Sequence, residues 1–226
     1  MEMNNIKLDR MNLKLLVIIF LASNLSFSQN NLNFNTFNLK GTGTISIPIS
    51  LEKQDGAYKK LSEKAQNEIG YEVSEDRVVF QVIGRNDNGI KERTPSYEKL
   101  IFETKIGNKG DFKKINSIAT TNELKEINDD SYNTFQSEME IYKTKINIKL
   151  LSWTKASNVK INNKNVIKLS YVRQINDNEP SVVDVYFYVN NDRYHKITTT
   201  YRLEKSKDWK PIFEKVINSF VITNIR

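Results

Sequence analysis

The sequence predicts an α+β fold, an antiparallel β-sheet flanked by helices, and three stretches near its C-terminus predict it. Residues 182–189 are dense in Val, Tyr and Phe, a composition suited to a pleated surface. Asn190-Asn191-Asp192 tolerates left-handed backbone and hydrogen-bonds locally, so a turn belongs there and 193–203 is the return strand. After Ser206, the residues Trp209, Ile212, Phe213, Val216, Ile217 and Phe220 recur at steps of three and four. That is one wide apolar stripe, shaped to lie on a sheet.

The hairpin register decides which side chains share a face. A two-residue turn sets Phe187 beside Lys196 and Val185 beside Thr198. A three-residue loop instead gathers Val183, Val185 and Phe187 with His195, Ile197, Thr199 and Tyr201. The second arrangement collects more apolar surface on one side, and a one-residue slip inverts every side chain, so it is the register expected. The opposite face then carries Asp184, Tyr186, Tyr188, Tyr194, Lys196, Thr198, Thr200 and Arg202.

From the N-terminus, Lys7, Arg10 and Lys14 precede an apolar run through residues 15–22, and Ser26-Phe27-Ser28 supplies small residues at a cleavage site. Residues 1–28 are therefore expected to be a secretory signal peptide, with Gln29 opening the mature chain. An apolar run of about eleven residues falls short of the roughly 20 needed to span a bilayer. With no cysteine in the chain, lipoprotein processing is excluded. Residues 29–40, rich in asparagine, read as a flexible lead-in or a short edge strand, and 41–226 as one α+β domain. Thr44-Ile45-Ser46-Ile47-Pro48 starts a short strand that the proline keeps from a central place. Residues 57–69 suit a polar helix or an ordered loop.

Strands are expected at 78–84 and 97–106, the latter with Leu100, Phe102, Thr104 and Ile106 on one side. Thr120 with Glu123 three residues on is a capping-box signature for a helix over 122–142. Residues 146–153 and 159–161 read as irregular strand fragments, and 166–174 as a strand with Ile167, Leu169 and Tyr171 on one face.

The chemistry-bearing residues are few. The chain has 34 Lys and Arg against 27 Asp and Glu, a formal net charge of +7, one histidine and no cysteine. Thiol catalysis, disulfides and cysteine metal sites are thus excluded. His195 stands alone on a strand, the usual setting of a structural histidine. No nucleophile-elbow, Walker or dinucleotide-binding signature is present. Asp87-Asn88-Gly89 and Asp129-Asp130 lack the spaced ligands of a calcium loop and suit a turn and a helix start. No cofactor or metal is implied. Glu103 and Asp184, both on strands, are the pair that a hydrolase acting on an envelope polymer would use. Tyr186, Tyr188, Tyr194, Lys196 and Arg202 form the face best suited to a partner, because tyrosines stack while their hydroxyls stay wet and cations sit beside them. The competing reading has the 122–142 helix cover those tyrosines. Lysine supplies most of the positive charge, without the concentrated arginine patch of nucleic-acid binding.

The order of elements, opening on Ile45-Ser46-Ile47-Pro48 and closing on Ile217-Asn218-Ser219-Phe220, resembles the PsbP-like superfamily over residues 41–226. That superfamily includes Ran-binding Mog proteins, photosystem extrinsic subunits and DcrB-type envelope proteins. The resemblance implies an antiparallel sheet sandwiched by helices and non-enzymatic roles in binding or assembly. It carries no functional residue onto this chain. The expectation is an exported, periplasmic or secreted, non-enzymatic binding or accessory protein that contacts an envelope protein or glycan through a sheet face or loop rim. A polymer hydrolase and a lipid or hydrophobe carrier are the alternatives.

Overall fold

The structure, a computed structural model, describes residues 33–54, 77–85, 97–142 and 146–226. The expected leader, the 57–69 segment and Asp87-Asn88-Gly89 lie outside the described residues.

Among the described residues, ten strands, two helices and a 3-10 turn follow in order: β1 Phe34–Leu39, β2 Gly43–Pro48, β3 Leu51–Lys53, β4 Val78–Val82, β5 Lys99–Ile106, α1 Thr121–Tyr142, β6 Ile148–Ile161, β7 Lys164–Ile175, β8 Ser181–Val189, β9 Arg193–Arg202, the turn Leu203–Lys205, α2 Ser206–Ser219 and β10 Val221–Ile222. They build a three-stranded sheet in the order β1-β2-β10 and a seven-stranded sheet in the order β3-β4-β5-β9-β8-β7-β6. Every pairing is antiparallel.

The large sheet is covered on both sides. On one, Phe80, Leu100, Phe102, Ile197, Tyr186 and Tyr188 share a core with Phe213, Val216, Ile217 and Phe220 at the end of α2 and with Leu39, Ile45 and Ile47 of the small sheet. The stripe read from the sequence is the face α2 buries. On the other side Leu169, Val183 and Val185 form a second cluster with Trp153 and Tyr171, and Phe135 of α1 lies against both rings at 6.2 and 5.0 Å. The α1 start is capped as its sequence predicts: Thr120 N–H and Oγ1 donate to Glu123 Oε2 at 2.6 and 2.7 Å, and Glu123 N–H donates back to Thr120 Oγ1.

Three expectations are corrected. The β8–β9 register is that of the two-residue turn: Phe187 pairs with Lys196 and Val185 with Thr198, closed by Asn190 N–H to Arg193 O at 2.8 Å, with Asn191 left-handed at φ 64°. Counting apolar residues on one face misleads where both faces are buried, because no face must be polar. The fragments around 146–161 are one 14-residue strand. Register shifts at Leu150/Ser152 and Thr154/Ser157 erase its period of two. Of the two readings of the segment before residue 41, the short edge strand is the one present: β1 pairs along its whole length with β2. Pro48 ends the central strand of the small sheet, opposite Phe34, where a missing N–H does least harm.

β10, too short to announce itself, lies against Gly43 and Thr44. A Cβ at Gly43 would collide with the Val221 carbonyl. Gly43→Ala should therefore expel β10 and lower unfolding free energy by about 2 kcal/mol. Denaturant melts would show it as a lower midpoint at unchanged slope; an unmoved midpoint would refute the pairing.

Candidate functional site

The five residues expected on one sheet face are divided between two. Tyr186 and Tyr188, 5% and 2% exposed, point into the α2 core, the Tyr188 ring edge-on to Phe220 at 4.9 Å. Burial pushes both phenols above their ordinary range. Tyr194, Lys196 and Arg202 lie on the opposite, α1 side, because β9 pairs one residue out of the expected register. None of the three is offered to solvent as a platform. Tyr194 is held edge-on by Phe112 and Phe187 at 5.2 and 5.8 Å. Lys196 pairs with Glu103 at 2.7 Å. Arg202, 1% exposed, donates from Nη1 to Glu179 O and Ser181 Oγ at 2.6 and 2.9 Å and lies over the Tyr97 ring. Lys99 covers the same ring at 5.4 Å. Burial resists ionisation of Tyr97, but Lys99, Arg173 and Arg202 outweigh it and hold the phenol below its ordinary value. This is an internal polar brace.

Glu103 and Asp184 are on opposite faces of the sheet. Glu103 lies opposite Lys196 on the α1 side, whereas Asp184, opposite Thr199, accepts from Ser170 at 2.6 Å and pairs with Lys168 at 3.1 Å. The two carboxylates cannot flank one glycosidic bond. Asp129 of the Asp129-Asp130 pair is engaged by Lys125 one helical turn earlier at 3.0 Å. Among the described residues no three His, Asp or Glu side chains are placed to hold a metal ion, and no helix is long and apolar enough to cross a membrane.

A built surface does exist at the end of the large sheet where β5, β6 and β8 finish and β7 and β9 begin. The irregular 14 residues from Gly107 to Thr120 cross that end, and a structureless connection of this length is usually functional. Gly107 N–H donates to Asp192 O at 2.7 Å, Phe112 N–H to Asn191 O at 3.0 Å and Asn191 N–H to Lys113 O at 2.8 Å. Further along, Asn165 Nδ2 donates to Asn116 O at 2.5 Å, and Asn158 both donates to Ala119 O and accepts from Ala119 N–H at 2.8 and 3.0 Å. Asn190, fully buried, ties in the C-terminus: its Nδ2 donates to Asn224 O at 2.8 Å and its Oδ1 accepts Arg226 N–H at 2.9 Å. Lys113 clamps the far side, donating to Ile118 O at 2.9 Å and pairing with Glu123 at 2.7 Å. The Lys113 and Thr120 hydrogen bonds hold the Glu123 carboxyl down at about 2.

The asparagines at the strand ends were legible only as turn formers. Nothing in the sequence shows that their side chains fasten a long loop and the chain end into one rim. The hint was there in Gly107, Lys109 and Gly110, a stretch with no period.

The chain matches no protein-family model and no curated protein. Among solved structures it is similar to cyanobacterial PsbP from Synechocystis, with 13% identity, 86% of this chain and 95% of that one covered, and a TM-score of 0.50. It is also similar to a Bacteroides thetaiotaomicron protein (10% identity, 79% and 44% covered, TM-score 0.41). A Pseudomonas aeruginosa protein of unknown function follows (12% identity, 84% and 96% covered, TM-score 0.37). The fold is PsbP-like.

Two outcomes are expected. Asn190→Ala should remove the amide protection of Arg226 in hydrogen exchange and cost about 2 kcal/mol; retained protection would show that Asn190 is not the fastening. His195 is 1% exposed, stacked on Phe102 at 5.9 Å with Nδ1 on Thr104 Oγ1 at 2.9 Å. Burial, then nearby Arg193, lowers its pKa to about 4 from 6.5. The unfolded chain takes up this proton first, so stability present above pH 6.5 is lost as pH falls toward 4, by about 3 kcal/mol in all. Urea midpoints measured across that window should slope for the wild type and flatten for His195→Phe.

Proposed function

Within the PsbP-like fold, we propose that the chain is exported and acts without catalysis as a binding or accessory protein of the bacterial envelope, meeting its partner through the loop rim. One observation supports this reading above the others. The 107–120 loop is fastened at both ends and in the middle, yet its own outward residues Lys109, Lys114 and Ile118 are exposed. A scaffold that fixes a long irregular loop and leaves its side chains outside is the usual construction of a contact surface. The sheet is packed by α1 on one side and α2 on the other, which favours the rim over the face as the place of contact.

Export is supported by the charged, apolar and small-residue succession of residues 7–28. In expressing cells the mature chain should begin at Gln29, and a photoreactive residue at Lys109 should yield an adduct with an envelope component, whatever its chemistry. The same probe at Glu214, exposed on α2, is the reference and should yield none. Equal labelling at both positions, or no adduct at either, would defeat the rim reading.

A further inference from the structure

The geometry points to the anionic face of a lipid bilayer as what the rim contacts, a conclusion that rests on the rim reading above. Three isoleucines stand at this end of the sheet with more than half of each exposed: Ile106 at 59%, Ile118 at 64% and Ile225 at 63%. Each sits on a fastened segment. Ile106 is the last residue of β5, opposite Arg193. Ile118 follows the Asn116 anchor and offers its carbonyl to Lys113. Ile225 lies between the two residues Asn190 holds. Scattered single apolar residues are ordinary on any surface. Three on one rim, on backbone that is hydrogen-bonded into place, are a distinct arrangement.

The charge around them is mainly positive. Lys105, Lys109, Lys114, Lys160 and Arg226 are all exposed at this same end of the sheet. Against them the rim sets Asp111, whose carboxylate accepts Asn108 N–H at 2.7 Å, and Asp192, already pinned by Arg193 through two contacts of 2.8 and 3.0 Å. Cations that attract phosphate headgroups, with short aliphatic side chains between them, are the two elements of interfacial membrane binding. A glycan would be met by open aromatic rings, and the rim's aromatics are turned inward on one another, Phe112 against Tyr194 and Tyr194 against Phe187. A protein interface would centre on a desolvated aromatic or arginine anchor; here the exposed cations are lysines apart from Arg226, and the exposed apolar residues are isoleucines.

The test is vesicle flotation of the full chain, in which residues 1–33 are common to every variant and cancel from the comparison. Wild type should float with vesicles holding phosphatidylglycerol at low salt, should not float with pure phosphatidylcholine, and should detach as salt rises. Lys105→Gln, Lys109→Gln and Lys114→Gln combined should weaken retention about a hundredfold, since each cation near an acidic surface contributes about fivefold. Ile106→Ser, Ile118→Ser and Ile225→Ser combined should weaken it while leaving the salt dependence in place. Circular dichroism melts matching wild type show that both triple variants fold; a variant that melts early is replaced by single substitutions, whose smaller losses must add. Equal flotation on both lipids, or retention unchanged in the lysine variant, overturns the proposal. Tighter capture on an acidic polysaccharide than on the vesicles also overturns it. If flotation fails while the Lys109 adduct persists on a protein, the lipid assignment falls and the rim reading survives; loss of both removes the two together.

Discussion

Parity in the β8–β9 hairpin is the constraint on which the rest of this structure depends. Because side chains alternate, the two-residue turn at Asn191 and Asp192 assigns Tyr186, Tyr188, His195 and Ile197 to the α2 side and Phe187, Lys196 and Arg202 to the α1 side. From these central strands the assignment passes outward without a free choice: Phe102 follows Ile197, and Leu169 follows Val185. A three-residue loop would invert the whole of β9 against β8. It would carry His195 and Tyr201 out of their aromatic surroundings and force Lys196 and Arg202 toward Phe213 and Phe220. The left-handed Asn191 is thus a small conformational expense that settles two cores.

The same turn organises the rim. Asn190, Asn191 and Asp192 serve the hairpin with their positions and serve the loop and chain end with their hydrogen-bonding groups. Irregular backbone has no ladder of its own, so its polar groups need other partners; here the ends of neighbouring strands provide them. What projects from that framework is unconstrained by the core and free to be shaped by a contact. The sheet faces have no such freedom, filled as they are by α1, α2 and the small sheet.

Much of the fold was legible from local pattern. The α2 stripe, the alternation of Leu100, Phe102 and Thr104, the face shared by Ile167, Leu169 and Tyr171, and the Thr120–Glu123 capping box are all short-range signals, and each matches the structure. What was not legible is non-local. Choosing a register requires knowing that both faces will be covered, and that knowledge resides in α1 and α2, not in the hairpin. β6 hides its identity behind two bulges, and β10 has two residues and no period. Glu103 and Asp184 look alike as strand carboxylates until pairing sets them back to back. The rim escaped for the same reason: its coherence is made by asparagine side chains reaching between segments far apart in the chain.

Ser219 and the backbone of Ser46, 173 positions apart, are joined by a hydrogen bond of 2.8 Å, and β10 closes on β2 immediately beyond. The third strand of the small sheet is therefore supplied from a segment far along the chain from the first two. Closing that seam carries the entropic toll of a very long loop, since contacts so distant along the sequence are slow to find each other.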